Sequence, residues 1–265
     1  MQLDRQQLAK FLAAHGNNAS MPFDIHVFET LPSTNQILWN LLDQGAKPGT
    51  VVIASEQTSG RGQWGRQWYS TSGGLYLSVA IAQKIPAHQA YQLTMSSAWG
   101  IATALRDRGI PVWLKWPNDL VVDQRKLGGI LTETKVHQGR ITKAVVGVGI
   151  NWTNSVPESG INLQSCQINQ VETTITSLEM LAAVTLMGIA AGNQYLEGVD
   201  ALLSSYEKLL INMNRLVYVD GRCGTIVGVT ASGELRVRFC STIDVNSVAD
   251  PEICLQPGSI SLGYS

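Results

Sequence analysis

Neither sign of charge dominates this sequence: 19 lysines and arginines stand against 20 aspartates and glutamates, for a formal net charge of −1 over 265 residues. A broad basic surface for nucleic acid is thereby excluded, whereas a local cationic pocket is not. The four cysteines, Cys166, Cys223, Cys240 and Cys254, include no C-x-x-C pair, and the four histidines are equally scattered. That spacing speaks against a structural zinc site and a disulfide framework. No window approaches the ~18 uninterrupted apolar residues of a membrane span, and Met1-Gln-Leu-Asp-Arg opens without the pattern of a signal peptide, so a cytoplasmic protein with no membrane partner is expected. No G-x-x-x-x-G-K-[ST] occurs, which excludes a P-loop ATPase, and no G-x-S-x-G marks a hydrolase nucleophile. Internal repeats and low-complexity tracts are also missing. What remains is a chain of ordinary apolar content, 45%, long enough to bury a full core.

The stretch that stands out is Gln57-Thr58-Ser59-Gly60-Arg61-Gly62-Gln63-Trp64-Gly65-Arg66-Gln67-Trp68. It follows Val51-Val52-Ile53-Ala54, which reads as a short buried strand. Three glycines let the backbone approach a ligand closely, and the interleaved arginines and tryptophans offer donor forks and stacking faces. Such a loop can close over an anionic nucleotide; it can equally be a surface loop whose tryptophans tuck into the core.

Upstream, Leu3, Leu8, Phe11 and Leu12 mark a short amphipathic stretch that stops at Gly16-Asn17-Asn18. His26-Val27-Phe28 reads as a strand, and Ser33 or Thr34 as the N-cap of a helix from Gln36 to Asp43. Alternation predicts a strand over 75–82, and helical spacing a helix over 88–108. Val112–Trp116 is a strand ending in the turn Pro117-Asn118-Asp119. Hairpins follow about Asp123-Gln124-Arg125 and about Gln138-Gly139. Residues 153–176 read as irregular, and helices are expected at 177–195 and 199–209. Short strands come after Asn214, at 216–219, 223–229 and 234–239, with a last one at Ile260-Ser261-Leu262. The expected fold is α+β, a mixed, mostly antiparallel sheet with helices over residues 1–213, followed by a small SH3-like β-barrel over 214–265.

Three further stretches carry chemistry. In Lys115-Trp116-Pro117-Asn118-Asp119, a lysine ends an apolar strand, where burial is costly without an anion. It either snorkels and pairs with Asp119 or faces a ligand, and Asn118 and Asp119 are candidates to hold a hydrated Mg²⁺. Lys126-Leu127-Gly128-Gly129-Ile130-Leu131 and Gly147-Val148-Gly149-Ile150-Asn151 place glycines inside strands, where a ligand can approach the backbone.

Together with Ser33-Thr34-Asn35, these signatures resemble the biotin–protein ligase family, in order and spacing, from about residue 25 onward. The resemblance implies a class II synthetase-like catalytic domain that forms biotinyl-5′-adenylate from biotin and ATP, with Mg²⁺. The biotin then passes to a lysine of the biotin carboxyl carrier protein of acetyl-CoA carboxylase. It implies Lys115, Arg61 and Arg66 as catalytic. Ser33, Thr34, Asn35, Gln57, Gly60, Arg61, Gly62, Gln63, Lys115, Gly129 and Gly149 would surround biotin. Arg66, Trp68, Asn118, Lys126 and Asn151 would hold the adenylate. The chain departs from the family pattern at Gln63, where many members have arginine, and at Ser259, where the G-E-I-S-L element has its acid. Bifunctional members carry an N-terminal winged helix that binds DNA. Fewer than thirty residues precede the shared region here, so a monofunctional ligase without DNA binding is expected, as monomer or homodimer. The alternatives are a lipoate or octanoate ligase or transferase, and a non-catalytic biotin sensor.

Overall fold

In a computed structural model, residues 3–15, 22–82, 85–167, 174–239 and 251–264 are described. The expected stop at Gly16-Asn17-Asn18 and Cys240 lie outside them. The main sheet has seven strands, and its apolar residues decide how it is covered. The strands are β1 (Asp24–Leu31), β2 (Thr50–Gln57), β3 (Gly74–Ile81), β4 (Trp113–Lys115), β5 (Asp119–Val122), β6 (Arg125–His137) and β7 (Arg140–Asn151). They lie in the order β1-β2-β3-β7-β6-β5-β4, and within it β1 and β2 pair in parallel while the other neighbours pair antiparallel.

Every residue of β3 is buried. Its large alternate residues, Leu75, Leu77, Val79 and Ile81, enter the main core, whereas Ala80 joins Val52, Ala54 and Val145 in a second apolar cluster. That second face is covered by α2 (Thr34–Asp43) through Leu38 and Leu42. The main core is roofed by α3 (Tyr91–Arg106) and α5 (Leu178–Gln194), with α1 (Arg5–His15) packed on α5. The predicted helix at 88–108 thus starts later, at Tyr91, after a 3-10 turn over Ala87–Gln89.

Helices α3 and α5 touch backbone to backbone, since a Cβ on Gly100 would collide with the carbonyl of Gly188. Gly100→Ala therefore has to spread the pair. It is expected to cost about 1–3 kcal/mol, read as a lowered midpoint in thermal unfolding.

The region 153–176 also contains one short helix, α4 (Leu163–Gln167), and α6 (Val199–Leu209) follows α5. The C-terminal strands β8 (Leu216–Val219), β9 (Arg222–Val229), β10 (Leu235–Phe239) and β11 (Glu252–Leu255) form an antiparallel sheet ordered β11-β10-β9-β8. Its fourth strand is Glu252–Leu255, not Ile260-Ser261-Leu262, which forms no strand with the described residues. Ile226, Val229, Leu235 and Val237 continue the main core, and Trp116 Nε1 donates to the Gly233 carbonyl at 2.9 Å.

Candidate active site

A cleft of about 160 Å³ opens on the sheet face that carries α2. Its polar end forms where α2 starts. Ser33 is extended (φ −159°, ψ 133°), but its side chain makes no capping hydrogen bond. The Gln57 amide caps the helix in its place. Its Oε1 accepts from Thr34 N at 2.8 Å, and its Nε2 donates to Ser70 Oγ at 2.8 Å. Ser33 thus holds the N-cap position as expected, but a side chain 23 residues away, rather than its own, satisfies the helix N-terminus. Ser78, fully buried on β3, donates to Thr34 Oγ1 and Asn35 Oδ1. Asn35 in turn donates to Glu133 Oε2 at 2.8 Å.

The glycine–arginine stretch is a narrow hairpin over this end. Gly62 N donates to Arg66 O at 2.7 Å and Trp68 N to Gly60 O at 3.0 Å, with Trp64 at a left-handed φ of 54° at the tip. Arg61 pairs with Glu133 at 2.8 Å. Glu133 therefore ties the loop to α2, a role hidden in the sequence because Thr132-Glu133-Thr134 reads as an ordinary solvent face. Arg66 forms no ion pair among the described residues; its guanidinium lies 5.8 Å from the Trp64 ring. Buried within the loop, Gln63 Oε1 and Trp68 Nε1 have no hydrogen-bond partner among the described residues.

The charged end is built by the β4–β5 turn, which includes a cis Trp116–Pro117 bond. Lys115 and Asp119 are register partners across that turn. Of the two readings of Lys115, the ion pair with Asp119 does not form, since the Asp119 carboxylate binds Lys126 Nζ at 2.6 Å. A bulge explains how. Leu120 pairs with Gly128 but Val121 with Lys126, so β6 carries one extra residue. Such an insertion flips the alternation and returns Lys126 to the face of Asp119 and Gly129.

Lys115 is only 8% exposed. Burial pulls its pKa below the ordinary lysine value, Lys126 and Arg66 push the same way, and Asp119 opposes them. From behind the turn, Asn118 Nδ2 donates to Ile130 O at 2.8 Å and the buried Tyr206 hydroxyl to Pro117 O at 3.2 Å.

The strand glycines form the floor, but they first make room for protein. A Cβ on Gly147 would strike Asn35, and one on Gly149 would strike the Trp68 indole, which therefore lies flat on β7 with Lys126 Nζ 5.3 Å from its centroid. Gly129 leaves open space, with only ordinary contacts to Asp119 and Lys126.

Of the residues predicted from sequence, Ser33, Thr34, Asn35, Gln57, Arg61, Gly62, Gln63, Arg66, Trp68, Lys115, Asn118, Asp119, Lys126, Gly129 and Gly149 all line this cleft. Two do not. Gly60 packs against Trp68 O and Ser70 Oγ at the loop base. Asn151 is buried, donating to Lys126 O and Ile161 O, so it braces the strand behind Lys126. Sequence reasoning missed Glu133, Ser78 and the tail residues Gly258, Ile260, Ser261 and Leu262, which enter the cleft from the C-terminus. Among the described residues no group of three or more His, Cys, Asp or Glu could hold a metal ion.

Residues 27–151 match the biotin/lipoate A/B protein ligase family. That match covers 125 of the chain's 265 residues. The chain is similar to the bifunctional ligase/repressor BirA of Bacillus subtilis, at 35% identity over 125 residues, 46% of this chain and 38% of that protein. The Escherichia coli protein of the same name is 35% identical over 204 residues, 73% of this chain and 61% of that one. The chain thus spans less than two thirds of these curated relatives. Biotin protein ligase from Aquifex aeolicus in complex with biotin and ATP shares the fold, with a TM-score of 0.65 at 24% identity over 87% of this chain and 95% of that one.

Proposed function

We propose that this chain joins biotin to ATP as biotinyl-5′-AMP with release of pyrophosphate, and then passes the biotinyl group to a lysine of a biotin carboxyl carrier protein. The observation that carries this reading is the polarity of the cleft. An uncharged hydrogen-bonding end at Ser33, Thr34 and Asn35 faces a cationic end at Lys115, Lys126 and Arg66, under one aromatic loop.

The nucleophile of the first step is the carboxylate of biotin itself, so no serine or cysteine is required. The protein has to hold two anions together and to stabilise charge on the α-phosphoryl group, which is positioning and electrostatics. Lys115 contacts carboxylate and phosphate; Arg61 and Arg66 fasten the loop. The hydroxyls of Ser33 and Thr34 serve the ureido ring, whose polar groups each cost about 1–3 kcal/mol if buried unpaired. Gln57, with both ends of its amide engaged, fixes the helix start. Trp68 and Lys126 face the adenylate.

The donor set also fits a hydrated Mg²⁺, which takes one or two protein ligands and keeps its waters. Asp119 would hold it, with Asn118 at its side, and the ion would neutralise phosphate charge. In the second step the carrier amine attacks the acyl carbon, AMP leaves with the bonding pair, and an amide forms. We assign the catalytic unit to 1–213 and an SH3-like module to 214–265.

The test is pyrophosphate release from ATP with and without biotin, before any carrier is added. Release that depends on biotin, resists competition by lipoate, and is followed by transfer of label to a carrier lysine is the expected result. Biotin binding without release would favour a sensor, and lipoate displacing biotin at equal concentration would favour the lipoate alternative.

A further inference from the structure

Residues from Gly258 to Leu262 enter the cleft. Gly258, at φ 92°, packs on the Trp64 indole so closely that a Cβ would lie 2.7 Å from it. Ile260 and Leu262 pack against the main core and, with Ser261, line the cleft. Tyr264 reaches the charges. Its ring centroid stands 3.5 Å from Lys115 Nζ, and its hydroxyl donates to Asp119 Oδ2. Since Asp119 Oδ1 already holds Lys126, both oxygens of that carboxylate are engaged.

We propose that the C-terminal segment 258–264 is a built-in competitor for the ligand's anion, with Tyr264 as the plug. This rests on the reading of Lys115 as the anion contact. The ring covers the ammonium where a carboxylate or phosphate oxygen would stand, and the phenol takes the carboxylate oxygen a metal ion would use. A wall residue of a ligand site leaves the site's charges free, whereas this one satisfies them. The contact is built to be exchanged. A cation–π contact is weaker than a charge-assisted hydrogen bond, so an arriving anion gains at Lys115, and that gain is set against the charge-assisted Tyr264–Asp119 hydrogen bond it breaks. Because Gly258 rests on Trp64, lifting the tail also releases the tip of the glycine–arginine hairpin. Tail and loop therefore open together.

The cost of displacement appears as lost affinity. If the tail is seated nine-tenths of the time, apparent affinity falls about tenfold. The experiment is calorimetric titration of inorganic pyrophosphate, ATP and biotin into the full chain as wild type, Tyr264→Ala and Tyr264→Phe. Pyrophosphate is expected to bind about tenfold tighter to Tyr264→Ala. Tyr264→Phe, which keeps the ring but frees Asp119, falls between. Unchanged or weaker pyrophosphate binding by Tyr264→Ala, or none by any variant, overturns the plug. Tighter pyrophosphate binding in variants that bind neither biotin nor ATP would instead overturn the ligase reading and leave the plug standing.

Discussion

Lys115→Ala is expected to lower biotin-dependent pyrophosphate release by on the order of 10²–10³-fold, the loss typical when one preorganised electrostatic contact to the transition state is removed. The effect should fall mainly on kcat, with biotin still bound weakly at the uncharged end. Near-normal turnover in the variant would end the assignment. The pH dependence provides a second arm. Because burial depresses the pKa of Lys115 in the folded chain, the ammonium is present below that value and lost as pH rises through it. The value of kcat/KM, which reports the free enzyme, should therefore fall on the alkaline side earlier than an exposed lysine would dictate. Lys115→Arg should remove that limb, since arginine stays charged.

Stability runs the other way. Between the folded and unfolded pKa values of Lys115 the unfolded chain binds more proton, so stability rises with pH across that window, where activity declines. Opposite slopes of kcat/KM and thermal midpoint over one pH range distinguish a lysine that works on an anion from one that is merely buried. An alkaline limb that survives in Lys115→Arg would assign the titration to another group.

The fold was legible wherever burial is one-sided or the turn chemistry is local. Asp123 and Gln124 both adopt left-handed φ values, as a two-residue hairpin turn demands, so the hairpin read at Asp123-Gln124-Arg125 is present, with Arg125 already paired to Val122 as the first residue of β6. Alternation in β3 carried more than a strand: its small residues mark the face that receives α2. The tail was misread for a physical reason. Ile260-Ser261-Leu262 alternates as a strand does, but its apolar residues are half-buried against the core and the cleft wall, with no ladder partner among the described residues. Helix α4, at five residues, is too short to show a period. Within the site, residues announced by unusual chemistry, such as a lysine ending an apolar strand, were found. Glu133, Ser78 and Tyr264 were not, because their partners lie 43 to 145 residues away and nothing local distinguishes them.

Gly149→Ala is expected to impair the nucleotide end of the cleft while sparing the fold. The substitution adds one methyl group near the C-terminal end of β7, opposite Gly129 and Tyr76. Alanine is, if anything, better than glycine in a strand by about 0.5–1 kcal/mol, so the backbone itself gains. The methyl group lands on the Trp68 indole, which would have to leave the strand and with it the neighbourhood of Lys126. If Trp68 stacks on the adenine, its loss removes about 1–3 kcal/mol of base stacking, or roughly ten- to a hundred-fold in the KM for ATP. The KM for biotin should move much less, because Ser33, Thr34 and Gln57 lie at the other end of the cleft. Trp68→Ala should reproduce the loss, and the double variant should be no worse than either single one, since both remove the same contact. Additive losses would mean that the methyl group blocks the ligand directly. A collapse of the thermal midpoint would mean that Trp68 is a core residue after all, which was the plainer reading of its tryptophan-rich loop.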